Sequence, residues 1–266
     1  MIDRRRFLSQ SDEDSALREI AMLSSLNDYA SPHVVSMVQV LEDSNHFYII
    51  SEIVDGGNLL TLLNQQQEQH HALSEQQVKD LARSLLLGVQ ALHALHISHH
   101  DLQPENILLL DNKRVQICDF GSAVYVDGEY CCRGRYGNMQ YAAPEVLRGK
   151  NHGRSSDLWS VGVILYYCLC GHLPFEDPSK RLLKEKIGKA EYDFSQREWA
   201  FVSRPAKQFI SNLLHTDSQV RLTASEALEH AWLASTYLPL LVSKRRRRET
   251  MVQRIWGKLK RKSSRN

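Results

Sequence analysis

The chain has no apolar run long enough to cross a bilayer; its longest, Leu158 to Cys170, has the length of a buried core helix. No apolar stretch follows the charges of Met1-Ile2-Asp3-Arg4-Arg5-Arg6, so this start is not expected to be a secretory signal. Cysteine is sparse: five residues, an odd number, with no C-x-x-C pair. Cys131 and Cys132 are adjacent, while Cys118, Cys168 and Cys170 sit in apolar runs. That pattern argues against a disulfide framework or a thiolate metal centre and for free, mostly buried thiols. The expected setting is a reducing compartment, cytoplasmic, nuclear or both. Internal repeats are absent as well, which excludes a solenoid or propeller.

What is present suits a globular enzyme-sized body. At 266 residues and 42% hydrophobic, the chain can bury a full core, as one large domain or as two lobes around a cleft. The net charge of +2 hides an asymmetry. Residues 244–266 hold eleven Lys/Arg and one Glu, about +10, leaving 22 basic against 30 acidic residues over 1–243, about −8. The end of the chain is a separate electrostatic object.

Hydrophobic spacing gives the organisation. Leu17, Ile20, Leu23 and Leu26 recur at helical intervals behind acidic residues, which predicts a helix over Asp14 to Leu26. A strand-like Val34 to Leu41, the turn residues Glu42-Asp43-Ser44-Asn45 and the alternating His46 to Ile50 predict a hairpin. Gly56-Gly57 closes that section. The Gln/His-rich stretch Asn64 to His71 reads as a solvated helix end or loop. From a cap at Ser74 with Glu75 and Gln77, the residues Val78, Leu81, Leu85, Leu86, Val89 and Leu92 predict a long amphipathic helix to about His96. Short strands come next at Ile107 to Leu110 and Val115 to Cys118, joined by Asp111-Asn112; from Ser155 to Leu233 the pattern is helices and loops.

The chemistry lies in an ordered set: His99-His100-Asp101-Leu102-Gln103-Pro104-Glu105-Asn106, then Asp119-Phe120-Gly121, then Ala143-Pro144-Glu145. Together with Asp157-Leu158-Trp159-Ser160-Val161-Gly162 and Arg221, it resembles the catalytic loop, magnesium loop and activation-segment end of protein kinases of the Ser/Thr type. The resemblance covers about residues 1–235. Glu52 to Leu59 and the closing His230-Ala231-Trp232 give it the flavour of the calcium/calmodulin-dependent and checkpoint-kinase group. It implies an α+β, protein-kinase-like fold: a complete helical C-lobe over 55–235, a truncated N-lobe over 1–54 with one helix and a few strands, and a basic tail over 236–266.

It also implies roles. Phosphoryl transfer through a loose transition state relies on positioning and charge neutralisation. Asp101 would orient the substrate hydroxyl and take its proton, while Asn106 and Asp119 would share magnesium. Phe120 and Gly121 complete the magnesium loop, and Glu19 matches the glutamate that pairs with the ATP-binding lysine. Ser51 gates the back of the adenine pocket, where a small residue predicts a roomy one; Glu52 and Val54 offer hinge backbone groups, and Glu105 faces the substrate. Glu145 and Arg221 match a structural ion pair. His99 would stack with Phe120, Leu23 and a residue near Met37, tied down by Asp157. The implied cofactors are ATP and Mg2+, the implied partners protein substrates, and the implied state a monomer.

The sequence departs from that pattern in three places. No G-x-G-x-x-G and no V-A-I-K occurs, and Met1 to Phe7 looks like the segment directly after the family's third-strand lysine, so Met1 resembles an internal methionine. Lys79, Lys113 and Lys150 lie on the wrong elements to replace that lysine. In the catalytic loop, His100 stands for the arginine before the aspartate and Gln103 for the lysine after it, removing a cation beside the transferring phosphate. Asn138 stands for the threonine whose hydroxyl braces Asp101, and Ser122 is the only Ser/Thr between Gly121 and Tyr141, leaving only a tyrosine route through Tyr125, Tyr130 and Tyr136 for loop phosphorylation. Third, Asn58 and Tyr167 replace acids of basic-substrate kinases, which leaves Glu105 alone to greet an arginine.

Two functions are compatible with these residues. One is a Ser/Thr protein kinase, weak or inactive in this chain; the other is a catalytically inactive, kinase-derived binding module or regulator. In the tail, Met251, Val252, Ile255, Trp256 and Leu259 share a helical face amid Lys and Arg. It reads as a nuclear import signal bound by importin, a calmodulin target, an anionic-membrane contact, an autoinhibitory helix or a solvated tail. A sheet missing strands would also leave an exposed edge and poor solubility.

Overall fold

A computed structural model describes residues 2–3, 10–68, 73–111, 113–126, 137–150 and 152–234. Two compact units divide between Ile53 and Val54. In the first, strands β1 (Ile2–Asp3), β2 (Met37–Glu42) and β3 (His46–Ser51) form an antiparallel sheet in the order β1-β3-β2, beside helix α1 (Gln10–Tyr29). The predicted hairpin is β2–β3. Asp43 makes its turn: one carboxylate oxygen accepts from the N–H groups of Asn45 and His46, at 2.7 Å each, as expected of an Asx turn. Leu17, Ile20, Leu23 and Leu26 are buried, so the helical spacing read from sequence marks the inner face of α1. Asn27 fastens α1 to β2, its side-chain oxygen accepting from Met37 N–H at 2.9 Å. The strand begins at Met37 rather than Val34. Only Met37 and Val40 are buried along it, with a register shift between Met37 and Gln39, and Val38 is 65% and Leu41 44% exposed on a strand at the sheet edge.

The second unit is built on helices α2 (Leu59–Glu68), α3 (Glu75–Ala94), α4 (Pro144–Leu147), α5 (Arg154–Cys170), α6 (Lys180–Lys189), α7 (Arg204–Leu213), α8 (Ala224–Glu229) and α9 (Ala231–Ala234). The six apolar residues that predicted α3 are all buried, and its cap is a full capping box between Ser74 and Gln77. The helix stops at Ala94 because His96 enters the left-handed region at φ 58° and the chain turns into β4. Asn64 to Glu68 form the exposed end of α2; residues 69–71 lie outside the described residues. Helix α5 is buried along nearly its whole length. At Gly162 an added Cβ would stand 2.9 Å from Leu213 and Leu214 atoms, so the missing side chain lets α7 pack against α5.

Four short strands position the site. β4 (Ile97–Ser98) pairs with β7 (Val124–Tyr125), and β5 (Ile107–Leu109) pairs with β6 (Val115–Ile117). The loop 99–106 runs from β4 to β5 and the loop 118–123 from β6 to β7, so two paired ribbons hold both motif-bearing loops. The β5–β6 pair was legible in the sequence, one residue shorter at each strand end; two-residue strands such as β4 and β7 carry no readable alternation.

Candidate active site

The centre of the second unit is a buried carboxylate. Asp157, on the first turn of α5, is 1% exposed and accepts hydrogen bonds from His93 Nε2 (2.9 Å), Ser98 Oγ (2.9 Å), His99 N–H (3.0 Å) and His100 N–H (2.9 Å). Burial acts to raise its pKa, but the bonds and charge from His93 and His100 outweigh it and hold the carboxyl well below the usual range. One side chain thus fixes the backbone just ahead of Asp101, which takes His100 into φ 62°.

His99 is fully buried. Its Nδ1 accepts from Asp101 N–H at 3.3 Å, so Nε2 carries the proton and donates to Cys118 O at 3.0 Å. Burial depresses its pKa, keeping a neutral ring. Phe120, 3% exposed, meets that ring edge-on at 5.2 Å, as expected. Leu23 and Met37 are buried within their own unit. His100 packs against His152 with ring centroids 4.9 Å apart, and burial pushes its pKa down to about 4. The residue standing for an arginine is therefore uncharged at neutral pH.

Three expected residues converge on one carboxylate. Gln103 Nε2 donates to Asp101 Oδ1 at 3.1 Å, while Asn106 Nδ2 donates to Asp101 O at 2.8 Å and to Oδ2 at 3.3 Å. Asn138 contributes through its backbone N–H, and its side chain turns away to cap the 3-10 turn Met139–Tyr141, accepting from Gln140 N–H at 3.1 Å. The brace expected from a threonine hydroxyl is thus supplied by a main-chain donor and the Gln103 amide. Burial raises the pKa of Asp101, and the Asp119 charge adds to that, so the carboxylate is more basic than a free aspartate.

Gly137 is the residue that sequence reasoning missed. It sits at φ 65°, and an added Cβ would come 2.4 Å from Asp101 Oδ1. Only glycine lets this backbone lie against the carboxylate, but a lone glycine in a loop gives no advance signal. Asp119 takes φ 63° and accepts from Gly121 N–H at 3.2 Å.

Asn106 uses Nδ2 for both of its bonds, leaving Oδ1 as the atom offered to a cation. That oxygen and the Asp119 carboxylate are hard donors, of the kind that would suit Mg2+ rather than a thiolate- or imidazole-seeking metal. Among the described residues no three His, Cys, Asp or Glu gather as a metal cluster. Burial raises the pKa of Cys118 to about 11 and of Cys170 to about 12, which suits inert thiols; Cys131 and Cys132, like Tyr130 and Tyr136, lie outside the described residues.

Glu105 is exposed, and its charge acts on the phenols of Tyr141 and Tyr167. Glu19 is half-buried on α1; Ser51 is exposed at the end of β3. Glu52 is bound to Ser36, accepting from its N–H through Oε1 at 2.9 Å and donating its own N–H to Ser36 O at 3.0 Å. Val54 opens the second unit, half-buried. Lys113 bridges to Asp80 at 3.7 Å, and Lys150 is exposed beyond α4. Away from the loops, Arg221 donates to both oxygens of Glu145, at 2.8 and 3.1 Å, with its guanidinium carbon 5.2 Å from the Trp159 ring centroid. This is the expected structural pair.

Comparison with known proteins gives the same frame. A family profile described as a protein kinase domain matches residues 2–233. Calcium-dependent protein kinase 12 of Oryza sativa subsp. japonica is 34% identical over 235 residues, 87% of this chain and 43% of that protein. Calcium/calmodulin-dependent protein kinase type 1 of Macrobrachium nipponense is 35% identical over 225 residues, 84% of this chain and 63% of its own length. The serine/threonine-protein kinase PEPKR2 of Arabidopsis thaliana is 34% identical over 221 residues, 83% of this chain and 46% of its own. The chain spans less than two thirds of the length of each of these relatives.

Proposed function

This chain belongs to the protein kinase family, and on that premise we propose that it carries a Ser/Thr-kinase phosphotransfer site whose activity is weak or absent. Its mixed helix-and-sheet architecture, with a helical C-lobe and few N-lobe strands, fits the fold of that family. The observation that carries the proposal is the Gln103 amide bonded to Asp101. A neutral amide holds the base where a cation would also neutralise the phosphate, so the proton acceptor is positioned while the charge stabiliser is lost.

Asp101 would accept a hydrogen bond from a substrate Ser or Thr hydroxyl and take its proton as the oxygen bonds to the ATP γ-phosphorus and ADP departs. Gln103, Asn106 and Asn138 orient that carboxylate, and partial burial makes it the better base. Asn106 Oδ1 and Asp119 would hold Mg2+, which when bound neutralises charge on the phosphate oxygens. The neutral His100 and the amide at Gln103 favour the second reading, an inactive binding module that keeps the scaffold anchors Asp157 and Glu145–Arg221. The tail, outside the described residues, keeps its sequence reading as a cationic segment for an acidic partner such as calmodulin or an import receptor, in cytoplasm or nucleus.

The test is a thermal-shift titration of the full chain with ATP, with and without Mg2+. A Mg2+-dependent shift lost in Asp119→Ala is the result expected of the phosphotransfer site. No shift in the unsubstituted chain would transfer the function to the binding-module reading.

A further inference from the structure

We propose that Tyr237 and Leu238 of this chain, just past α9, dock in the apolar groove beside Phe201 and strap α9 to the start of α3. They lie outside the described residues and open the run Tyr237-Leu238-Pro239-Leu240-Leu241-Val242, six residues without a charge between α9 and the cationic Lys244–Arg248. Large apolar side chains in such a run gain by leaving water. The groove has a volume of about 310 Å³, room for one aromatic and one aliphatic side chain, and its apolar walls are Leu73, Leu169, Val202 and Phe201. Phe201 is 82% exposed, yet it ends the 3-10 turn Arg197–Phe201, whose Trp199 is fully buried with its ring centroid 4.7 Å from that of Tyr166. That turn is fastened down, so its phenylalanine loses little conformational freedom when something covers it. Glu75, whose carboxylate also borders the groove, is already answered by Ser203 N–H, Ser203 Oγ and Trp232 Nε1 at 2.7–2.8 Å. It therefore asks nothing of an apolar occupant.

The place where the chain leaves α9 selects this occupant. The Trp232 indole ends on the Glu75 carboxylate at 2.8 Å, two residues before α9 stops at Ala234, so the chain departs beside the groove wall. Tyr237 and Leu238 follow three and four residues later, a reach of roughly 10–14 Å. A segment tethered by so short a linker meets the groove at an effective concentration on the order of millimolar, which a free partner must match. The strap is a brace and leaves the loop of Asp101 uncovered. On α5, Leu169 lies twelve residues beyond Asp157, roughly 18 Å along the axis, and on α3 Glu75 lies eighteen residues before His93, roughly 27 Å. The groove is thus at the far end of both helices from the buried carboxylate that holds the catalytic loop, and the strap works whether or not the chain transfers phosphate.

Urea unfolding of the full chain tests this through a double-mutant cycle between Phe201→Ser and the paired change Tyr237→Ser/Leu238→Ser. Each should raise the unfolding constant at least about fivefold, and the combination hardly more than either alone, because both remove one contact. A Phe201 that faces only water would alter the constant no more than about twofold. That result, or two losses that multiply in full, would overturn the proposal. Hydrogen exchange gives a second readout on the same molecules. The amides of Tyr237 and Leu238 should exchange at least about tenfold more slowly in the parent chain than in Phe201→Ser, and equal rates would overturn the proposal as well. Both effects should be the same at roughly 1 and 100 µM protein; a dependence on concentration would give the groove to a second copy and overturn the strap.

Discussion

Two aspartates of the same unit show how differently it treats a carboxylate. Asp157 is buried with four donors around it and is held ionised well below the usual pKa, whereas Asp101 is half-buried among amide donors and has its pKa raised. The first is an anchor whose charge the fold has fully answered. The second is kept more basic than a free aspartate, which costs stability and suits the proton-accepting role proposed for it. Around Asp157 the family's pattern survives; around Asp101 the cations have become Gln103 and His100.

Substitution should widen that contrast. Asp157→Ala strips the acceptor from two backbone N–H groups, Ser98 and His93, and should cost about 3–5 kcal/mol in urea unfolding. Glu145→Ala leaves Arg221 buried without its carboxylate and belongs in the same range, with the Glu145→Ala/Arg221→Ala pair costing less than the sum. Next comes Gly137→Ala, at about 1–2 kcal/mol, since it combines a left-handed φ with a clash against Asp101. Asp101→Asn should lie within about 1 kcal/mol of the parent or above it, because it removes an ionised group whose burial is unfavourable. A loss at Asp101 as large as that at Asp157 would erase the distinction between anchor and base.

Acid titration separates the anchors in a second way. His99 and His100 have folded pKa values below the unfolded value of about 6.5, so the unfolded chain binds more protons and stability falls as pH drops from there toward about 4. The depressed Asp157 adds its own loss only below the unfolded carboxylate value of about 3.9. Unfolding midpoints at pH 7.5, 6 and 5 should therefore decline, and His100→Asn, which tolerates the left-handed backbone, should flatten that decline.

Much of this contrast could be read from the sequence, and the reasons differ by residue. Helices α1 and α3 were legible because a 3.6-residue period survives any packing detail, and Asp101, Asn106, Asp119, Glu145 and Arg221 because their order and spacing form a pattern. The loss of cationic character at His100 and Gln103 was equally plain. Out of reach was anything a main chain does: the Asn138 N–H that replaces an expected hydroxyl, the left-handed Gly137 against Asp101, and the two-residue strands β4 and β7. So was the carboxylate of Glu75, expected only as part of a cap. It accepts from Ser203 N–H (2.8 Å), Ser203 Oγ (2.7 Å) and Trp232 Nε1 (2.8 Å), joining α3 to α7 and α9 across 128 and 157 residues of sequence.

Whether Asp101 is a positioned base without its cation is decided by transfer of labelled γ-phosphate to a mixed Ser/Thr substrate with Mg2+, comparing the full chain with Gln103→Lys and Asp101→Asn. A rate far below the usual 1–100 per second is expected for the chain, with a rise of roughly tenfold or more in Gln103→Lys and background in Asp101→Asn. An ordinary kinase rate in the unsubstituted chain, or one that Gln103→Lys leaves unchanged, would contradict it.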